Sequence, residues 1–127
     1  MNKWNLGASV LMALTFCLHV FGGGPEIHEP IQASALSDYL RAMSAVLWHA
    51  VTVVLAVFAI AYLWLAKHEN TAMSLQMSAI QLGFAALFLW YGETLLGTVW
   101  PMPQWIIFIV IPAVSLFGLP QRRRQVA

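Results

Sequence analysis

One uninterrupted apolar stretch constrains the fold of this chain more than any other feature. No charged residue occurs between Met43 and Ala66, whereas Arg41 precedes this stretch and Lys67 follows it. A helix rises about 1.5 Å per residue and the hydrocarbon core of a bilayer is about 30 Å thick, so about 20 apolar residues are enough to cross it. The stretch therefore predicts a transmembrane helix over residues 37–66.

The composition of the whole chain points to the same class of protein. Of the 127 residues, 61% are hydrophobic and 9% are charged, whereas a soluble domain carries about 25% charged residues. So much apolar surface is stable only if lipid covers it. We therefore expect a single integral membrane domain over residues 1–127, with the lipid bilayer as its main partner.

Three further apolar runs predict three more helices, at about residues 4–21, 72–97 and 103–117. The first run lacks a signal-peptide cleavage site and is interpreted as a retained helix. The glycines at 22–24 are expected to end it, and Pro25 to prevent it from resuming. A polar loop over residues 22–36 would then follow. The predicted fold class is all-α, a four-transmembrane-helix bundle.

The basic residues predict how this bundle is oriented. After four crossings, Lys3, Lys67 and the run Arg122–Arg124 fall on one side of the membrane, and Arg41 alone falls on the other. Because basic loops stay in the cytoplasm, both termini are predicted to be cytoplasmic. The predicted location is a bacterial-type inner (cytoplasmic) membrane, crossed several times. The arginine run is interpreted as a membrane anchor, and no nucleic-acid partner is expected.

Three ionisable residues within the predicted helices fall toward the same, outer end of the bundle. His19, His49 and Glu93 each lie on a helix face that also carries small residues, which allow helices in lipid to approach closely. Consecutive helices run in opposite directions, so these outer ends are expected to meet. His28 lies in the predicted outer loop nearby. Ionised groups at this depth are costly and usually pair or serve a function.

Two interpretations of this cluster involve a cofactor. In the first, the cluster binds a zinc, copper or iron ion, because imidazole and carboxylate groups ligate these metals. The candidate ligands are His19, His28, His49 and Glu93. In the second, His19 and His49 hold a haem between the first two helices.

Two other interpretations need no cofactor. His49 and Glu93 would fix the bundle by hydrogen bonds, and the protein would act as a non-enzymatic accessory or interaction subunit, joined to other membrane subunits or to itself. Alternatively, the same two residues would move protons in a small transporter or membrane enzyme. Gln76 and Gln81 are predicted to form interhelical hydrogen bonds, and Tyr62 is predicted to be an interfacial or interhelical anchor.

Two short motifs carry a resemblance to known proteins. The motifs are His19-Val20-Phe21-Gly22-Gly23-Gly24 and Leu47-Trp48-His49-Ala50. With this layout the chain resembles small four-helix bacterial inner-membrane proteins of unknown function. In those proteins a glycine-rich turn with a histidine precedes a histidine on the second helix. The resemblance implies a four-helix membrane fold and no established activity.

Overall fold

The computed structural model describes residues 1–119, whose regular secondary structure is entirely helical. The elements in chain order are α1 (Lys3–Cys17), a π-helical segment (Leu18–His28), α2 (Glu29–Gln32), α3 (Asp38–Leu65), α4 (Thr71–Leu96) and α5 (Gln104–Phe117). The all-α prediction is therefore confirmed for the described residues. The predicted anchor Arg122–Arg124 lies outside them.

Three continuous helical stretches are long and apolar enough to cross a membrane. They are Lys3–Gln32, Asp38–Leu65 and Thr71–Leu96, of 30, 28 and 26 residues. The helix α5 is apolar but shorter. These helices support the predicted membrane-protein character.

Local hydrogen bonds explain where the later helices begin and end. The Ser37 hydroxyl accepts a hydrogen bond from the Leu40 amide, at 3.4 Å, just before α3. The Asn70 side chain caps α4 by accepting from the Met73 amide at 3.0 Å. Gly97 ends α4 in the left-handed conformation (φ 67°), which glycine adopts without strain.

The prediction that the first helix ends at the glycines is wrong. The chain stays helical through Gly22–Gly24 and Pro25 and changes to a π-helix, in which the Glu29 amide donates to the Gly24 carbonyl, five residues earlier. In an α-helix the proline ring collides with the carbonyl four residues before it. The wider turn of a π-helix relieves that collision. The expected polar loop is reduced to residues 33–37.

The described residues form two compact units. Unit one contains residues 1–8 and 62–119, and unit two contains residues 9–61. The core of unit one includes Tyr62, Leu65 and Ile111, none of which exposes any surface. In unit two the Ser9 hydroxyl on α1 donates to the Ala59 carbonyl on α3 at 2.8 Å. This bond joins two helices through a small side chain, as expected for packing in lipid.

Candidate functional site

The most distinctive arrangement in unit two is a histidine–tryptophan cluster, formed by His19, His28, Trp48 and His49. The His19 and His28 rings both stack on Trp48, with ring centroids 4.0 Å and 5.5 Å away and interplanar angles of 19° and 18°. The His49 ring meets His28 edge-on, with centroids 5.3 Å apart. Two histidines therefore stack on one indole ring, and a third contacts one of those two.

The π-helical segment places His19 and His28 on the same side of the first helical stretch. The two residues are nine positions apart. Nine residues make two and a half turns of an α-helix, so in that conformation they would face opposite sides. A π-helix has about 4.4 residues per turn, so nine residues make about two turns. The change of helix type is therefore what brings both rings to Trp48.

Gly23 lies between the two histidines and leaves room for Trp48. A Cβ atom at position 23 would lie 2.9 Å from the Cη2 atom of the Trp48 ring. At Gly22 and Gly24 a Cβ atom would meet nothing within 4 Å. Of these three glycines, Gly23 is the one whose missing side chain the cluster requires.

Hydrogen bonds hold the His19 ring in place. Its Nε2 atom lies 3.3 Å from the Trp48 carbonyl oxygen and 3.1 Å from the Thr52 hydroxyl. Because a carbonyl oxygen only accepts, this geometry assigns a proton to Nε2. Thr52 also donates its own hydroxyl to the Trp48 carbonyl, at 3.0 Å. The Nε2 atom of His19 is thus engaged in packing α3 against the π-helical segment.

The other two histidines of the cluster have unused ring nitrogens. The Nδ1 atom of His28 is buried and makes no hydrogen bond within residues 1–119. The His49 side chain is exposed and likewise makes no hydrogen bond to the described part of the chain. A buried polar atom without a hydrogen-bond partner costs about 1–3 kcal/mol. The Nδ1 atom of His28 is therefore free to bind a further ligand.

The fourth predicted metal ligand, Glu93, belongs to unit one. It lies exposed near the end of α4, and its carbonyl accepts from the Gly97 amide at 3.1 Å. Among the described residues, no group of three or more histidine, cysteine, aspartate or glutamate side chains is arranged to hold a metal ion. The four-residue ligand set His19, His28, His49 and Glu93 therefore stays a prediction.

Unit one contains a buried polar core of its own. The Gln81 amide on α4 donates to the Tyr62 hydroxyl at 2.6 Å and to the Met77 carbonyl at 3.1 Å. The Ser115 hydroxyl on α5 donates to Asn5 on α1 at 2.9 Å, and the Asn5 amide donates to the Leu65 carbonyl at 3.3 Å. The interhelical hydrogen bond predicted for Gln81 is confirmed. Gln76 instead lies exposed.

Trp48 of the histidine–tryptophan cluster and the neighbouring Gly23 were not among the predicted site residues. Trp48 stood only in a motif of the resemblance, and Gly23 was interpreted as part of a helix terminator, because neither an apolar indole nor a glycine indicates a chemical site. The nine-residue spacing of His19 and His28 with a glycine between them is the one available signal. It becomes meaningful only if the segment is known to be a π-helix.

Comparisons with known proteins add no further assignment. Models of protein families, curated protein sequences and solved structures all gave no match to this chain.

Proposed function

We propose that this chain is a multi-pass protein of a bacterial-type cytoplasmic membrane, with four crossings and both termini in the cytoplasm. The three long helices support this, because only 17%, 22% and 28% of the residues in their most apolar 18-residue segments are buried. The remaining apolar surface needs lipid or another membrane protein to cover it. The uneven distribution of basic residues supports the orientation. The proposal agrees with the resemblance to small four-helix bacterial inner-membrane proteins.

Single-cysteine labelling tests this topology. In a Cys17→Ala background, we expect His68→Cys to react with a membrane-impermeant maleimide only after the inner membrane is permeabilised. Ser34→Cys should react with it in cells whose outer membrane alone has been opened. Both positions lie in turns between helices, so the label can reach them from one side. Equal labelling of both positions before permeabilisation would contradict the proposed orientation.

We further propose that the protein acts as a non-enzymatic accessory or interaction subunit. The observation that carries this proposal is the use of polar side chains in both units for internal packing. His19 bonds to α3, Gln81 bonds to Tyr62, and Ser115 bonds to Asn5. Polar groups used in this way fix helices against one another. The exposed apolar faces then remain available for contact with lipid and other subunits.

Crosslinking in native membranes tests this role. We expect the 14.1 kDa chain to appear in crosslinked products heavier than one copy, formed at the level at which cells make the protein. A ladder at multiples of 14.1 kDa would indicate self-association, and any other increment would indicate a different subunit. Recovery of the uncrosslinked single chain alone, under conditions that crosslink a known membrane complex, would contradict the accessory role.

The haem interpretation loses support from the packing of His19. Axial ligation requires a free ring nitrogen and open space beside it. Nε2 of His19 is hydrogen-bonded to α3, and one face of its ring is covered by Trp48. His19 would have to leave Trp48 and Thr52 before it could bind a haem iron through that atom.

A further inference from the structure

We propose that His28 and His49 form an open two-nitrogen binding site for a divalent transition-metal ion. The site lies wholly within unit two and joins the end of the π-helical segment to α3. It goes beyond the accessory role proposed above and does not depend on it. It also differs from the four-residue ligand set predicted from the sequence, because His19 and Glu93 are not part of it.

The separation of the two rings fits ligation of one ion. Metal–nitrogen bonds to histidine are about 2.0–2.1 Å long, so two imidazole centroids bound at a tetrahedral angle lie roughly 5 Å apart. The His28 and His49 centroids are 5.3 Å apart, with an angle of 68° between the ring planes. The two rings are therefore close enough to share one ion.

The two rings also have the nitrogen atoms that ligation requires. A ligating imidazole must present an unprotonated nitrogen that no other group occupies. The buried Nδ1 atom of His28 has no partner in the described chain, and the His49 ring lies exposed on the surface of α3 with no hydrogen bond to the described residues. In His19 the Nε2 atom is already bound to α3 and to Thr52, so only its Nδ1 atom remains, and one face of the ring is covered by Trp48.

Trp48 positions the His28 ring for this role. The stacking of His28 on Trp48 limits the rotation of the imidazole, and His19 supports the indole at 4.0 Å. A ligand that is held in place before binding loses less conformational freedom when the ion arrives. Trp48 and His19 are thus positioning residues and do not themselves ligate the ion.

Two protein nitrogens leave the remaining positions around the ion to water or to a small exchangeable ligand. Among divalent ions of the first transition series, Cu²⁺ binds nitrogen donors most tightly, and Zn²⁺ binds them less tightly. An ion held by two imidazoles is also easier to release than one held by four protein ligands. The chemistry therefore suits a site that takes up an imidazole-preferring ion reversibly.

Titration of the purified full-length protein in lipid nanodiscs with Cu²⁺ tests this site. We expect one Cu²⁺ to bind reversibly per chain, with an electron paramagnetic resonance spectrum that shows coupling to two imidazole nitrogens. His28→Gln and His49→Gln should each lower the affinity at least about tenfold, since loss of even a supporting group costs 10–100-fold. Each variant should retain one coupled nitrogen, and the double variant should retain none.

His68→Gln is the matched control. His68 also stacks on a tryptophan, Trp64, with centroids 4.6 Å apart, but it lies outside the cluster. This variant should bind Cu²⁺ like the unmodified protein, and thermal unfolding without metal should show that every variant is folded. Unchanged binding by the folded double variant would overturn the proposal, as would a spectrum without imidazole coupling in the unmodified protein.

Discussion

Replacement of Tyr62 by alanine is expected to lower the free energy of unfolding by about 3–5 kcal/mol, as for other large aromatic side chains in a core. The Tyr62 side chain is fully buried in unit one, and its hydroxyl accepts a hydrogen bond from Gln81 at 2.6 Å. The substitution leaves a cavity and also removes the partner of a buried amide. Reversible unfolding in mixed detergent micelles measures the loss.

Two variants separate the contributions to this effect. Tyr62→Phe keeps the ring and removes only the hydroxyl, so we expect a loss of about 1 kcal/mol, typical of hydrogen bonds between membrane helices. Tyr39→Ala removes a tyrosine that is 71% exposed, so its effect should be close to zero. Equal effects of Tyr62→Ala and Tyr39→Ala would show that unit one is not packed around Tyr62.

The second large effect is expected at Gly23. In Gly23→Val the new Cβ atom would lie 2.9 Å from the Trp48 ring, a distance that real Cβ contacts essentially never show. Because the indole is rigid and stacks with the His19 and His28 rings, either Trp48 or the π-helical segment must move. Overpacking of this kind costs about 1–3 kcal/mol. Thermal unfolding and near-ultraviolet circular dichroism should report the lost stability and the displaced tryptophan.

Gly22→Val provides the matched control for this substitution. It places the same side chain one residue earlier in the same segment, where a Cβ atom would meet nothing within 4 Å. Any general effect of valine on the π-helical segment should be equal in the two variants. If Gly22→Val and Gly23→Val unfold at the same temperature and give the same spectrum, Trp48 does not rest against Gly23.

Much of the helical framework could be predicted because capping residues and charged turns next to the helices mark where they begin and end. The start of α3 follows from Ser37 and Asp38, and its end from the charged turn after Ala66. The observed bounds of α3, α4 and α5 lie within one residue of the expected ranges. Apolar periodicity and capping residues act over a few positions, so a single sequence is enough to detect them.

The π-helical segment could not be predicted in the same way. Three glycines followed by Pro25 usually end a helix, and the local signal here was typical of a terminator. What overrides that signal is tertiary packing: Trp48 lies against Gly23, and both flanking histidines stack on the same indole. Contacts between residues about 25 positions apart produce no periodic pattern that could be recognised in the sequence.

The candidate site was predictable only in part for the same reason. His19, His28 and His49 could be proposed as neighbours from the topology of the first two helices, but the pairing of His28 with His49 depends on the π-helical turns. The hydrogen bond predicted for Gln81 was found. A buried amide on one apolar helix can satisfy its hydrogen bonds mainly through a side chain on a neighbouring helix. The nature of that partner, Tyr62, required the structure.

In the proposed topology with four crossings, the length of α5 has a consequence for the surrounding membrane. Its 14 residues extend over about 21 Å, which is shorter than the roughly 30 Å of hydrocarbon in a typical bilayer. A short segment of this kind creates hydrophobic mismatch, which the surrounding lipids relieve by thinning. Since each ångström of mismatch has an energetic cost, membranes with shorter acyl chains would accommodate the protein at lower free energy than membranes with longer ones.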